Sequence, residues 1–253
     1  MNRDFLTDTG ALLGRSLRRI LRSPDTIITT AVTPIVMLLL FVYVFGGAID
    51  TGGGRYVDYL LPGILLITVA SGVAYTALRL HTDVASGIFE RFQSMPIART
   101  AVLWGHVLTS LVANVISVVL VVLVALAMGF RSGAGVAAWL GVAGLVLLFT
   151  LALTWLAVGA GLVATTPDGA GAFAYPLLFL PFVSSAFVPT AGMPTAVRWF
   201  AEHQPVTSIV DTIRALYTEQ PVGGAGATAV AWCAGLVVVA YALAARTYRR
   251  RLA

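Results

Sequence analysis

Six long stretches without a charged residue divide this sequence, and they constrain its fold more than any other feature. Counting Asp, Glu and Arg, the uncharged runs are 26–49, 59–78, 100–130, 132–167, 169–197 and 220–245, and the shortest holds 20 residues. A helix needs about 20 residues to cross a hydrocarbon core about 30 Å thick. The runs therefore predict an all-α integral membrane protein with six transmembrane helices.

The composition agrees with a chain whose solvent is the bilayer. Charged residues make up 11% of it, hydrophobic residues 58%, and the mean hydropathy is +0.91. Soluble domains carry about 25% charged residues. We expect residues 1–253 to form one transmembrane domain, with spans at approximately 27–47, 59–80, 102–129, 135–164, 172–190 and 227–245.

The distribution of arginine predicts that both termini are cytoplasmic. With the termini inside, twelve arginines lie in inner segments and four in outer segments, as the positive-inside rule requires. Residues 1–25 hold five of the twelve, and the first apolar run is too long for a signal peptide. This segment is either an amphipathic interfacial helix on the membrane surface or an arginine-rich flank that only fixes orientation.

The chain contains no lysine, because all sixteen of its basic residues are arginine. A P-loop needs a lysine that reaches the terminal phosphates of the nucleotide. If ATP drives this protein, another polypeptide must bind it. The net charge of +5 is accounted for by the inner flanks, so anionic lipids rather than nucleic acid are the expected partner.

Polar residues of the predicted spans give little support to enzyme, metal or proton chemistry. Neither H-E-x-x-H nor G-x-S-x-G occurs, and the uncharged runs hold no carboxylate for proton coupling. His81 and Asp83 are close enough in sequence to bind a metal, although an interfacial pair is favoured. Asn114, deep in the third span, contacts substrate or hydrogen-bonds a neighbouring helix. No ring of charge or filter-like loop indicates a passive channel.

The segment 79–99 has the features of a short cytoplasmic helix between the second and third spans. Its apolar face consists of Ile88, Phe89 and Phe92, and Pro96 ends it. Exposed aromatic residues beside a Glu90–Arg91 pair suit docking into another protein. An ordinary interfacial loop is the alternative.

Short helices are predicted between the fifth and sixth spans, on the outer side. Four prolines make the fifth span short or broken: Pro176, Pro181, Pro189 and Pro194. Beyond Pro205, apolar residues recur at helical spacing as far as Tyr217. Asp211 and Arg214 lie on the other face at the i,i+3 spacing of an ion pair. The pattern predicts an amphipathic helix at the outer leaflet.

Four segments in this order resemble the ABC-2 type transporter permeases, and among these the daunorubicin/doxorubicin-resistance permeases of actinobacteria. They are RSP at 22–24 with FGG at 45–47, YVDYLLPG at 56–63, GIFERFQSMPIAR at 87–99, and 184–194 followed by QPVT at 204–207 with Asp211 and Arg214. Gln204 replaces the usual Asn, and Phe89 and Phe92 replace smaller aliphatic residues. We expect these departures to adjust local packing.

The resemblance implies an exporter of hydrophobic drug-like compounds or lipids in the bacterial plasma membrane. Two permease copies, identical or related, would each rest on a cytoplasmic ATPase that holds the ATP and Mg²⁺, so this chain would carry no cofactor, metal or catalytic residue. Export of polysaccharide or glycolipid is the alternative within the family, and an intramembrane enzyme is the alternative outside it.

The resemblance also implies roles for particular residues. Coupling to the ATPase falls on Gly87, Ile88, Phe89, Glu90, Arg91, Phe92, Pro96 and Arg99. An extracellular gate helix contains Pro205, Ile209, Asp211, Ile213 and Arg214. Independently of the resemblance, the candidates for the substrate path are Asn114, Phe179 and Phe182.

Overall fold

The computed structural model describes residues 24–47, 55–87 and 101–251, and within them the regular structure is all helical. The α-helices are α1 (Pro24–Leu40), α2 (Tyr56–Ala85), α3 (Ala101–Ala127), α4 (Val136–Val163), α5 (Pro167–Ala172), α6 (Ala174–Phe179), α7 (Thr195–His203), α8 (Pro205–Tyr217) and α9 (Gly223–Arg251). A π-helical turn, Phe41–Phe45, extends α1, and 3₁₀ turns occupy Leu180–Val183 and Thr190–Gly192.

Four of these helices have the length and apolar character needed to cross a bilayer, namely α2, α3, α4 and α9. The apolar part of α1, Thr30–Phe45, is shorter. At 1.5 Å per residue, the 30 residues of α2 extend about 45 Å, which exceeds the hydrocarbon core and its interfaces only slightly.

Helix α2 is the centre of the bundle. In its most apolar window 78% is buried, against 28% in α3 and 22% in α9. Helices α1, α3, α4, α5, α6 and α8 all contact it. The remaining long helices therefore keep one face for protein and one for lipid, whereas α2 is enclosed along most of its length.

The fifth predicted span, 172–190, is broken in the structure. Thr166 caps α5 by accepting a hydrogen bond from the Gly169 N–H (3.1 Å), and three prolines (167, 176 and 181) interrupt the helical ladder beyond it. Even so, the segment travels along α2. Its helices α5 and α6 and the 3₁₀ turn Leu180–Val183 contact α2, and Ala186 lies against Gly63 near the beginning of that helix.

Two predicted features fall outside the described residues. The N-terminal interfacial segment is described only from residue 24 onwards, and the coupling segment is described only at Gly87. Gly87 has a φ of +70° and follows the end of α2, where its N–H donates to the Val84 carbonyl (3.2 Å). A left-handed glycine of this kind is a common helix terminator.

The closest approach of α2 and α4 predicts a measurable packing effect. A Cβ on Gly161 would lie 2.7 Å from the Ala77 carbonyl oxygen and 3.2 Å from Leu80 Cβ. Gly161→Ala should therefore lower the melting temperature in detergent by several degrees, although alanine favours a helix by about 1 kcal/mol. Gly159→Ala is the matched control, because no atom lies within 4 Å of a Cβ there. Equal melting temperatures for the two variants would contradict this packing.

Candidate gate at the outer end of helix α2

The amphipathic helix expected after Pro205 is α8, and its apolar stripe faces the bundle. Val206, Ile209, Val210 and Ile213 are buried, as is Tyr217 at its end. The stripe contacts α4, α9 and the beginning of α2. Its burial holds α8 across the end of the bundle where α2 begins.

Gln204 fastens the start of α8 to the broken segment. Its Oε1 accepts from the Val206 N–H (3.3 Å) and caps the helix, while its Nε2 donates to the carbonyls of Val183 (3.0 Å) and Leu180 (3.3 Å). The side chain is buried. Gln204 thus satisfies carbonyl groups that a 3₁₀ turn leaves without helical partners.

Arg214 links three separate parts of the chain. Its Nη1 donates to Asp211 Oδ1 (2.9 Å), so the ion pair expected from the spacing is present, and its Nη2 donates to the carbonyls of Tyr59 (3.1 Å) and Ser185 (2.9 Å). The guanidinium also lies 3.9 Å above the Tyr59 ring. A planar fork of donors that also stacks on an aromatic ring is specific to arginine.

Hydroxyl groups complete this network of hydrogen bonds. Ser185 donates to Asp211 Oδ1 (2.6 Å), Ser132 donates to the Tyr217 carbonyl (2.7 Å), and the Tyr217 hydroxyl donates to the Asp58 carbonyl. Burial raises the pKa of Tyr217, so its hydroxyl remains a hydrogen-bond donor at physiological pH. We call the group of Arg214, Asp211, Ser185 and Tyr217 the latch. The latch joins α8 to α2, to the 184–188 turn and to the α3–α4 loop.

The latch leaves some polar groups unused. Arg214 Nε and Asp58 Oδ1 are buried and have no hydrogen-bond partner in the described part of the chain. The nearest cation to Asp58 is Arg55, whose Nε lies 3.6 Å from Oδ2. Unsatisfied buried groups are costly, so a rearranged latch that satisfied them would recover free energy.

The two aromatic candidates for the substrate path lie together. Phe182 stacks on Phe187 (ring centroids 4.6 Å apart, planes 3° apart), and Phe41 of the π-helical turn packs against Phe187 at 4.9 Å. Phe179 lies 6.3 Å from Phe182 and is 65% exposed. They form an aromatic cluster with an accessible edge. The cluster lies beside the latch, since Phe187 is two residues from Ser185, and the Phe187 carbonyl accepts a hydrogen bond from the Tyr56 hydroxyl (3.2 Å).

Asn114, the third candidate for the substrate path, lies inside the helix packing and is 1% exposed. Its Nδ2 donates to the Ser110 carbonyl (2.9 Å), and its amide faces Gly72 of α2, where a Cβ would collide with it. Its Oδ1 has no partner among the described residues. The amide therefore packs against α2 while its hydrogen bonds stay within α3, and its role in the substrate path stays a prediction.

Sequence reasoning missed the hydroxyl groups around Asn114. Thr76 of α2 donates to Ser110 Oγ (2.8 Å), and Ser110 Oγ lies 3.4 Å from Thr154 Oγ1 of α4. The available signal was the i,i+4 spacing of Ser110 and Asn114, which places both on one helix face. These groups connect the three central helices.

His81 and Asp83, expected from the sequence to form an interfacial pair or, less favoured, a metal site, are not the pair that the structure shows. Asp83 pairs with His106 of α3 (Oδ2–Nε2 3.4 Å) rather than standing with His81 as a chelating pair. Among residues 24–47, 55–87 and 101–251, no cluster of three His, Cys, Asp or Glu side chains is placed to hold a metal ion.

Comparison with known proteins places these features in a family. The sequence pattern of the ABC-2 type transporters matches residues 7–218, which include both the latch and the broken segment. The chain belongs to the ABC-2 type transporter family. Members of this family are transmembrane permease subunits that function in ABC transporters with an ATP-binding subunit.

Its relatives include resistance permeases. The daunorubicin resistance ABC transporter permease protein DrrB1 of Streptomyces coeruleorubidus is 29% identical over 94% of this chain and 85% of its own length. The probable doxorubicin resistance permease DrrC of Mycobacterium tuberculosis is 24% identical over 97% and 90%. The putative transport permease ycf38 of Porphyra purpurea is 28% identical over 85% and 75%.

The geometry of Arg214 predicts that lysine cannot replace it in this ABC-2 permease. An ammonium on a flexible stem cannot pair with Asp211, reach both carbonyls and stack on Tyr59 at once. Arg214→Lys should destabilise the protein by about 2 kcal/mol, the scale of charged hydrogen bonds, measured by thermal unfolding in detergent. Arg198→Lys is the control. The Arg198 side chain is about half exposed, and its ion pair is with Glu202 of the same helix, α7. A loss of equal size in both variants would refute a special role for the latch.

Proposed function

We propose that this chain is the membrane subunit of an ABC exporter that moves hydrophobic drug-like compounds or lipids outward across the bacterial plasma membrane. Both termini would lie in the cytoplasm, and a separate subunit would bind and hydrolyse ATP. The names of DrrB1 and DrrC, which refer to daunorubicin and doxorubicin resistance, support the drug-like substrate. The absence of lysine supports the separate ATPase.

The observation that carries the mechanism is the position of α2 between two functional segments. Tyr59 at the start of this helix accepts a hydrogen bond from the latch, and Gly87 at its other end begins the coupling segment. The helix between them is continuous for 30 residues and packed on most sides. A displacement of the coupling segment by the ATPase would therefore reach the latch as a movement of one rigid rod about 45 Å long.

The latch would close the outer end of the path until that movement occurs. Arg214 holds α2, α8 and the Ser185 turn together, so moving α2 relative to α8 would break at least the bond to the Tyr59 carbonyl. The unused Arg214 Nε and Asp58 Oδ1 offer alternative partners in a rearranged state. Such a two-state element is what gating requires.

The assembly would contain two permeases and two ATPase subunits, with six crossings in each permease. The interrupted segment, whose helices α5 and α6 contact α2 and whose Ala186 lies against Gly63, supports a fifth crossing, and α1 with its π-helical turn supports the first. Exposed aromatic and aliphatic side chains on α1 and α6 offer a surface for the second permease.

Export of a polysaccharide or glycolipid is the second candidate within the family. The aromatic cluster of Phe41, Phe182 and Phe187, with exposed Phe179 at its edge, favours an apolar substrate because it presents ring surface without hydrogen-bonding groups.

The experiment is co-purification of the permease with the products of its neighbouring genes, followed by ATPase and daunorubicin-transport assays in inverted vesicles. Arg214→Lys should leave the ATPase bound and active but lower transport at least tenfold. The reason is that the gate either no longer closes or no longer opens in response to the movement of α2. Glu90→Ala/Arg91→Ala should instead release the ATPase or abolish its stimulation. Arg198→Lys should resemble the native protein in both assays.

The two kinds of failure have different meanings. A chain that purifies alone under mild conditions, with no nucleotide-hydrolysing partner, would exclude the exporter. An assembled, ATP-hydrolysing complex that moves a glycolipid but not daunorubicin would keep the exporter and replace its substrate.

A further inference from the structure

An apolar groove lies on the surface of the bundle between α3 and α4. Its volume is about 280 Å³. Buried Leu65 of α2 and buried Val142 and Val146 of α4 form its floor, and its rim is exposed, with Val119 at 50% and Leu123 at 55%. The α3–α4 groove, as these residues define it, is therefore open to whatever surrounds the bundle.

The wall of the α3–α4 groove is suited to a hydrocarbon chain. Thr150 supplies a hydroxyl group to the lining, and that hydroxyl already donates to the Val146 carbonyl (2.7 Å). The lining extends along α4 from Trp139 to Thr150, which corresponds to about 16 Å. That distance matches the depth of one leaflet, half of a core about 30 Å thick.

Two arginines stand at one end of the groove, where the α3–α4 loop closes it. Arg131 is exposed, and its Nη1 donates to the carbonyls of Leu126 (3.0 Å) and Phe130 (2.8 Å). These bonds fix the guanidinium while its other three N–H groups make no hydrogen bond to any residue in the described ranges. The Arg55 guanidinium lies against Gly129 of the same loop, and 53% of its side chain is exposed.

Gly129 makes the second arginine's position possible. Its φ of +99° is one that residues with a side chain rarely adopt, and a Cβ there would come within 2.8 Å of Arg55 Nη1. Beneath the loop, Phe130 and Trp139 meet edge to face with ring centroids 6.1 Å apart. A tryptophan at this level is typical of the membrane–water interface.

We propose that the α3–α4 groove binds one acyl chain of a phospholipid from the leaflet that meets this loop, with the lipid phosphate on Arg131 and Arg55. Moving the acyl chain from bulk lipid into the groove releases little free energy by itself, since bulk lipid is as apolar as valine and leucine side chains. The guanidinium–phosphate contacts supply the preference, because they are charge-assisted and geometrically matched. The proposal requires a membrane-embedded chain but neither outward transport nor the drug-like substrate.

The test uses the full chain in nanodiscs doped with phosphatidylglycerol that carries a diazirine in one acyl chain, with adducts mapped on peptides after illumination. Residues 115–123 and 142–147 should be labelled several-fold more than the exposed face of α9. Arg131→Gln should reduce groove labelling several-fold without changing labelling of α9. Ala143→Phe, which fills the groove, should do the same.

Matched variants separate a bound lipid from bulk lipid. Arg198→Gln and Ala234→Phe place the same changes on α7 and on the exposed face of α9 and should leave groove labelling intact. A photoreactive fatty alcohol, which lacks a phosphate, should label the groove and α9 equally. If Arg131→Gln misfolds, seen as altered α9 labelling, Arg55→Gln serves in its place.

Three results would overturn the proposal. Equal labelling of the groove and α9 by the phospholipid would mean bulk lipid only. Unchanged groove labelling in folded Arg131→Gln and Arg55→Gln would remove the phosphate contact. Cross-links between two copies of the chain through residues 115–123 would show that a second copy covers the groove.

Discussion

A backbone carbonyl or amide without a partner costs several kcal/mol in hydrocarbon, and this constraint explains most contacts of the broken segment and α8. Between Ala164 and Gln204 the chain does not form one continuous helix, because prolines lack the N–H donor and distort the helical hydrogen bonds. Side chains replace the lost partners: Gln204 for the carbonyls of Leu180 and Val183, and Arg214 for that of Ser185. Contacts with α8 and with α2 hold the broken segment in place.

The same contacts explain why residues far apart in sequence belong together. Tyr59, Ser185 and Arg214 come from three separate segments of the chain, and each is a partner in a bond that another makes. The resemblance to ABC-2 permeases was carried by the segments that contain them. Their spatial convergence gives that resemblance a physical basis, because loss of the Arg214 side chain would leave the carbonyls of Tyr59 and Ser185 without this donor.

Much of the fold follows from charge and apolar patterning, and the exceptions have identifiable causes. The uncharged runs anticipated the four long apolar helices, and the spacing from Val206 to Tyr217 anticipated α8 and its buried face. The sequence could not show how the fifth segment bends, since a proline marks an interruption without fixing the path taken after it. It also could not pair Asp83 with His106, because that contact depends on the packing of α2 against α3. Asn114 was ambiguous for a similar reason, as a single polar residue at depth does not reveal which helix it faces.

The enclosure of α2 has a consequence for how these proteins diverge. A helix surrounded by protein has almost no position at which a substitution meets only lipid, whereas α3 and α9 present whole faces to it. Single substitutions on the lipid-facing sides of α3 and α9 should therefore be tolerated, whereas a change of volume within α2 should require a matching change in the helices around it.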